Sequence, residues 1–166
     1  MTVSKGAVLL GSALASCLIV PSLARAGSGT AELLLSGVRS LTVVDMGDMN
    51  VTAGGASGTL TIVKGSSEPF SGNQSGAVQC VIFAKKSSAG FDLEADCAAS
   101  FSPDDKLFLV FKRKTGDLAA GTAAEGIEQI VGGTGKFAGV SGECRYVVEN
   151  FPAHWGVTTS KCQWQR

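Results

Sequence analysis

Residues 91–101 read FDLEADCAASF and show the clearest alternation of apolar and polar side chains in the chain. Because successive side chains of a β-strand point to opposite faces, this pattern predicts a strand with one face on a core and the other in water. Residues 77–84, which precede it, have the same parity, with Val78, Cys80 and Ile82 on one face. The apolar face of residues 91–101 consists of Phe91, Leu93, Ala95, Cys97, Ala99 and Phe101.

The turn at residues 86–90 places Cys80 opposite Cys97 if the two strands form a hairpin. In that register Val78 faces Ala99, so the apolar faces of both strands coincide. A slip of one residue would turn one of those faces to the other side. The turn, the parity and the cysteine positions together predict a β-hairpin closed by a disulfide.

Cys144 and Cys162 flank the turn around residues 151–155 in the same way and predict a second cross-strand disulfide. Zinc is the competing interpretation of four cysteines, but structural zinc sites use closely spaced cysteine pairs. The four cysteines here are 17, 47 and 18 residues apart. The spacing favours disulfides, predicts no metal site, and indicates an oxidising compartment.

The amino terminus has the features of a bacterial signal peptide. Lys5 precedes the apolar stretch of residues 7–20, and Ala24-Arg25-Ala26 forms a small-x-small cleavage site. The apolar stretch is too short and too rich in small residues for a spanning helix. We therefore predict a signal peptide over residues 1–26, cleavage near Ala26, and export to the periplasm or beyond the cell.

Leu14-Ala15-Ser16-Cys17 offers an alternative, because it also reads as a lipobox in which Cys17 is lipidated. Apolar residues 18–20 follow at once, where an anchored protein usually has a polar tether. This context favours Cys17 as an ordinary apolar residue of the leader. Amino-terminal sequencing of the processed protein distinguishes the two interpretations.

Composition places the mature chain among small all-β proteins. Without Lys5 and Arg25 it carries 12 basic and 14 acidic residues, and no basic stripe with interleaved aromatics, so we expect neither a nucleic acid nor an anionic membrane surface as partner. Eight short strands with frequent turns predict an eight-stranded antiparallel β-barrel. We expect residues 27–37 to be a loose lead-in and residues 38–166 a single barrel domain, with a homo-oligomer left open.

The glycine-rich segment at residues 132–142, GGTGKFAGVSG, is not a phosphate-binding loop. A P-loop requires glycine where Ile130 stands and serine or threonine where Phe137 stands, and the dinucleotide pattern fails at Ala138. We interpret the segment as a structural corner between two strands, in which Phe137 closes one end of the barrel. The corner residues are Gly132, Gly133, Gly135, Phe137, Gly139 and Gly142.

The string GGTGKFAGVSGECRYVV at residues 132–148 resembles the GGTG-[KR]-[FY]-x-G-x-x-G hallmark of the allene oxide cyclase and dirigent superfamily. The strong match covers eleven residues. The resemblance implies an eight-stranded antiparallel barrel, often trimeric, with an apolar interior cavity. It assigns no catalytic residue, because no active-site stretch outside this corner matches, and the paired cysteines depart from the plant cyclases.

Function is less determined by the sequence than fold. We expect an exported barrel that binds a small apolar molecule inside, with no cofactor and no metal. The alternatives are an isomerase or cyclase similar to allene oxide cyclase, and a structural or interaction protein with a filled core. No catalytic residue is predicted: the lone histidine, His154, has no partner motif, and Glu125 and Glu128 fall on opposite strand faces. The predicted ligand-lining residues are Leu93, Leu107, Leu109, Phe111 and Tyr146.

Overall fold

The computed structural model describes residues 27–166 and shows a closed eight-stranded antiparallel barrel, which confirms the predicted fold. Each strand pairs with the next, and the first pairs with the last. The signal peptide predicted over residues 1–26, and the alternative at Cys17, lie outside the described residues. The strands are β1 Ser28–Asp45, β2 Met49–Gly65, β3 Gln74–Ser87, β4 Gly90–Ser100, β5 Lys106–Arg113, β6 Ala123–Gly133, β7 Ser141–Asn150 and β8 Trp155–Gln165.

Both predicted disulfides are confirmed. Cys80 bonds to Cys97 across β3 and β4, and Cys144 bonds to Cys162 across β7 and β8. The register between β3 and β4 also places Val78 opposite Ala99. The alternating sequence of β4 therefore fixed its register as well as its burial.

The first strand is longer than the sequence indicated. β1 already begins at Ser28, so residues 27–37 are not a loose lead-in. Pairing with both β2 and β8 satisfies the backbone there, and Ala31 and Leu33 point into the core. The alternation is hidden in the sequence because Leu33 is followed by two more leucines.

β2 runs through Gly54 and Gly55 without a break, although glycine is unfavourable inside a strand. The strand continues from Met49 to Gly65. A Cβ atom at Gly54 would collide with the backbone oxygen of Ser40 on β1. The glycine thus permits a close approach of two paired strands.

The barrel has two unlike ends. We call the end at the start of β5 the closed end, because the side chains of Phe70, Phe137 and Trp164 are buried across it. We call the opposite end the open end, where β5 finishes at Arg113 and β7 finishes at Asn150. Within residues 27–166, no helix has the length and apolar character needed to cross a membrane.

The closed end is packed by aromatic rings and shaped by glycines. The ring centroids of Phe70 and Phe137 are 5.5 Å apart, and those of Phe70 and Trp164 are 5.3 Å apart. A Cβ atom at Gly133 would lie 2.5 Å from Cβ of Phe137, so only glycine lets the phenyl ring enter. Gly135 has a φ of +56°, the left-handed conformation that glycine adopts at least cost.

Candidate functional site

The barrel interior contains a cavity of about 100 Å³ between the middle of the barrel and the open end. Arg39 and Leu118 line it and are only partly buried, so the cavity meets solvent at the open end. The volume is below the ~300–1,000 Å³ typical of drug-sized ligands and closer to the ~150 Å³ cavity that accepts benzene. Its apolar wall includes Val78, Ile82, Leu93, Ala95, Phe111 and Val148.

Three of the five predicted lining residues reach this cavity. Leu93, Phe111 and Tyr146 are on its wall, whereas Leu107 and Leu109 are fully buried nearer the closed end and do not line it. Strand parity predicts whether a side chain points inward, but not at what height along the barrel axis it lies. The two leucines are core residues at a level where the interior is filled.

Tyr146 is placed by two neighbours. Its ring meets that of Phe111 edge-on, with centroids 5.4 Å apart. On the adjacent strand it faces Gly126, where a Cβ atom would lie 2.5 Å from Cζ of the tyrosine. Burial raises the pKa of Tyr146 to about 12, so its hydroxyl keeps its proton at neutral pH.

Glu128 carries a buried carboxyl group. On β6 it lies two residues beyond Gly126, on the side of the closed end. It faces Cys144 in the register of β6 and β7, and the hydroxyl of Ser160 donates a hydrogen bond to its Oε2 atom. Its Oε1 atom has no hydrogen-bond partner within residues 27–166. Burial raises the pKa of Glu128 to about 7, against the smaller lowering by Ser160. Glu128 is not on the cavity wall, because Tyr146 occupies the inward position next to it.

Glu128 does not form a metal site with its sulfur neighbours. One carboxylate oxygen and the sulfurs of Cys144 and Cys162 lie within 4.8 Å of one another. The two sulfurs are bonded to each other as a disulfide, whereas a metal would require thiolates. This group of three is therefore part of the packed core.

Arg113 is the most deeply buried cation at the open end. Its side chain points inward at the end of β5, only 4% exposed, with the guanidinium 4.8 Å from the centre of the Phe91 ring. Nη2 donates a hydrogen bond of 2.7 Å to the backbone oxygen of Asp117. Nη1 has no hydrogen-bond partner in the described part of the chain. Burial lowers the pKa of this guanidinium.

Arg39 and Asn150 complete the polar rim of the cavity. Nη2 of Arg39 donates a hydrogen bond of 3.4 Å to the backbone oxygen of Leu118, and burial lowers its pKa. Nδ2 of Asn150 donates to the backbone oxygen of Asp117 at 3.2 Å and to Oγ1 of Thr122 at 2.9 Å. The loop of residues 114–122 is therefore held over the open end by hydrogen bonds from inward-facing side chains.

The sequence did not single out these polar rim residues. Arg113 stands between two exposed lysines, Lys112 and Lys114, which give this segment the composition of an ordinary charged strand end. The signal available was the parity of β5, because Arg113 continues the inward series of Leu107, Leu109 and Phe111. An arginine on the apolar face of a nearly continuous apolar strand indicates a buried charge.

The fold and the site define a class: a small disulfide-bonded antiparallel β-barrel with an interior cavity, sealed at one end and rimmed by arginines at the other. No family model, no curated protein and no solved structure matches this chain. The similarity of residues 132–148 to the allene oxide cyclase and dirigent hallmark therefore stays a prediction. The two disulfides are compatible with an exported protein.

Proposed function

We propose that this protein is an exported barrel that binds a small apolar molecule inside. One observation carries the proposal: the open half of the barrel encloses an apolar cavity of about 100 Å³, while the closed half is filled by side chains. A barrel with a purely structural role has no need of a void, since close-packed interiors gain dispersion contacts that a cavity loses. The filled-core alternative is thereby disfavoured.

The rigidity of the wall supports binding. The Cys80–Cys97 disulfide lines the cavity, and Phe111 and Tyr146 hold each other edge-on. A preformed cavity loses little conformational entropy when it is occupied, so a small ligand retains more of its contact energy as affinity. The size restricts the ligand to a single ring or a short branched chain.

Filling the cavity tests the proposal. Ala95 is small, buried and on the cavity wall, so an Ala95→Leu substitution places a larger apolar side chain in the space for the ligand. Ala98 lies on the same strand and points outward, so Ala98→Leu adds the same atoms outside the barrel. We expect 2-phenylethanol to bind the wild type and Ala98→Leu, and not Ala95→Leu, in a calorimetric titration.

Native mass spectrometry of protein purified without denaturation from its own host would then identify a retained ligand. Mass in excess of the chain that disappears on denaturation supports the proposal. Absence of probe binding to the wild type, or equal binding by Ala95→Leu, would contradict it. In the first case the cavity would be a packing defect, and in the second the probe would bind elsewhere.

A second function, an isomerase or cyclase, is favoured by Glu128. A buried carboxyl group with a pKa of about 7 can exchange a proton at neutral pH, as a general acid or base must. Its position counts against it, because Tyr146 separates it from the cavity. If a short unsaturated epoxide is converted by the wild type and not by Glu128→Gln or Tyr146→Phe, this function is supported. Equal product from the wild type and both variants would exclude these residues from catalysis.

A further inference from the structure

The two arginines of the open end both present unused hydrogen-bond donors inside the barrel. Nη1 of Arg113 and Nε of Arg39 are buried and have no partner within residues 27–166. Both residues line the cavity. Buried N–H groups without acceptors are costly, and those of a charged guanidinium more so than neutral ones. The open end therefore has donor capacity that the described protein does not use.

No acidic side chain among residues 27–166 forms an ion pair with either arginine. The Asp117 carboxylate pairs with Lys86 and acts on Arg113 only at a distance, since the hydrogen bond from Arg113 goes to the backbone oxygen of Asp117. The other ion pairs among residues 27–166, Lys112–Glu94 and Lys114–Asp92, lie on the outer surface. A buried cation normally has an anionic partner.

The neighbouring polar groups do not supply the missing charge. Tyr146 is neutral at pH 7, since its pKa is about 12. Besides burial, the charge of Arg39 lowers the pKa of Arg113, and this repulsion is larger than the opposing effect of the Asp117 carboxylate. Two like charges at the rim of an apolar cavity form an electrostatic site for an anion.

Asn150 adds a buried acceptor to the same rim. Its side chain is 2% exposed, and its orientation is fixed because the backbone oxygen of Asp117 can only accept, so Nδ2 must face it. Oδ1 is left without a partner in residues 27–166. The rim thus combines unused cationic donors with one unused neutral acceptor.

We propose that the ligand of this cavity is a small apolar carboxylic acid, bound with its carboxylate on Arg113 and Arg39 and its apolar body against Phe111 and Ala95. This inference rests on the proposed function, because it names the head group of the molecule that the cavity holds. A guanidinium fork matches a carboxylate in geometry and charge, and the surrounding apolar wall strengthens the interaction. A hydroxyl group beside the carboxylate would in addition donate to Oδ1 of Asn150.

Phenylacetate and its uncharged analogue 2-phenylethanol test the head group with the same apolar body. In calorimetry at pH 7 on the disulfide-bonded protein, phenylacetate should bind at least about tenfold more tightly than 2-phenylethanol. A charge-assisted hydrogen bond contributes enough free energy for this difference in affinity. Arg113→Gln and Arg39→Gln should each lower the affinity for phenylacetate by about tenfold. The affinity for 2-phenylethanol should stay within about threefold of the wild-type value. The matched control is Arg145→Gln, since Arg145 is exposed on the outer face of β7 and leaves the cavity unchanged.

The outcomes separate this inference from the function on which it rests. Binding of 2-phenylethanol as tightly as phenylacetate overturns the carboxylate inference and leaves cavity binding in place. Binding of neither compound overturns both. If Arg145→Gln lowers the affinity for phenylacetate as much as the rim variants do, the net charge of the protein and not the rim attracts the anion. That result would also overturn the inference. If circular dichroism shows that Arg113→Gln does not fold, the partly exposed Arg39 carries the test through Arg39→Gln.

Discussion

The two ends of this barrel are built from the same eight strands but differ in what their inward positions carry. At the closed end, the buried groups are almost all apolar, and glycines let Phe137 and Trp164 approach the backbone closely. At the open end, inward positions of the same strands carry Arg113, Asn150 and Tyr146 around a void. Unpartnered buried polar groups cost stability, so a fold retains them where they serve another purpose. The closed end holds the barrel together, and the open end has the features of a binding site.

The closed end should show the largest effect on stability. Phe137 is fully buried between Phe70 and Phe101, so Phe137→Ala removes a ring from a packed site and leaves a cavity. We expect the free energy of unfolding to fall by about 3–5 kcal/mol, the usual cost of a buried phenylalanine. Urea denaturation measures this as a lower midpoint with an unchanged slope.

Phe83→Ala is the matched control for this loss. Phe83 lies on the outer face of β3 and is 46% exposed, so its truncation should cost about 1 kcal/mol or less. If Phe137→Ala and Phe83→Ala cost the same, the closed end would not be the stabilising region and the contrast between the ends would fail.

Glu128 lies between the two ends and should make the stability depend on pH. Its pKa is about 7 in the folded protein and near 4.5 in the unfolded chain, so the folded state binds the extra proton between these values. The contribution is therefore fully present below pH 4.5 and is lost as pH rises through 7. The shift corresponds to about 3 kcal/mol. We would measure the free energy of unfolding in urea for the wild type and for Glu128→Gln from pH 4 to 8. Over this range the value for the wild type should fall by about this amount relative to that of the variant.

Glu125→Gln supplies the control on the same strand. Glu125 points outward and is exposed, so its substitution should leave the pH dependence of the wild type in place. A pH profile for Glu128→Gln that parallels that of the wild type would show that Glu128 has an ordinary pKa. Glu128 would then no longer support a proton-transfer function.

Gly126 faces Tyr146 of the candidate site, and its replacement should cause an intermediate loss of stability. A Cβ atom there would lie 2.5 Å both from Cζ of Tyr146 and from the backbone oxygen of Lys112, so Gly126→Ala forces the ring toward the cavity and strains the pairing of β5 with β6. We expect a loss of about 1–3 kcal/mol, typical of overpacking, together with weaker binding of 2-phenylethanol. Thermal unfolding and calorimetry on the same samples measure both quantities.

Gly156→Ala separates this steric effect from the general cost of replacing glycine. Gly156 also lines the cavity, but a Cβ atom there would meet its nearest neighbour, the backbone oxygen of Glu149, at an ordinary 3.7 Å. We expect no loss of stability, and a gain of up to about 1 kcal/mol from the lower entropy of the unfolded chain. Equal losses in the two variants would mean that the close contacts at Gly126 are not the cause.

The two ends also differ in how well the sequence predicted them. The alternation of β4 and the cysteine positions specify a register, because both depend on a period of two that only one pairing satisfies. Phe137 was predicted as an inward plug because glycines around an aromatic residue indicate a tight corner. Such features are local in the chain, so they can be read without the fold.

The open end could not be predicted in this way, because its site is assembled from strands far apart in the chain. Arg39, Arg113 and Asn150 come from β1, β5 and β7, and only Arg113 carries a local signal, its place in the inward series of β5. What makes them a site is their common height along the barrel axis and the absence of partners within the described residues. Parity fixes the direction of a side chain but not this height, which is also why Leu107 and Leu109 were predicted on the cavity wall and lie below it.

The smallest expected effect concerns the loop over the open end, and it tests whether surface charge or inward hydrogen bonds hold that loop. Asp117 forms an ion pair with Lys86, whose side chain is 52% exposed, and its carboxylate also accepts hydrogen bonds from the backbone nitrogens of Leu118 and Ala119. Lys86 is the largest of the causes that lower the pKa of Asp117, with the backbone donors next. In Lys86→Ala, the pKa of Asp117 should therefore rise, because its largest lowering cause is removed while burial, which raises the pKa, and the backbone donors, which lower it, both remain.

Exposed ion pairs contribute about 0–1 kcal/mol, so Lys86→Ala should scarcely change the free energy of unfolding at pH 7. A lowered pKa stabilises the fold above the ordinary pKa, and that stabilisation is lost as pH falls; in the variant, less is lost on acidification. NMR titration of the Asp117 carboxyl carbon measures the pKa, and Lys112→Ala, which breaks another exposed pair, is the control that should not move it. An Asp117 pKa in Lys86→Ala that stays as low as in the wild type would show that Lys86 does not set it. The loop would then be held by its own backbone donors and by the inward hydrogen bonds of Arg113 and Asn150.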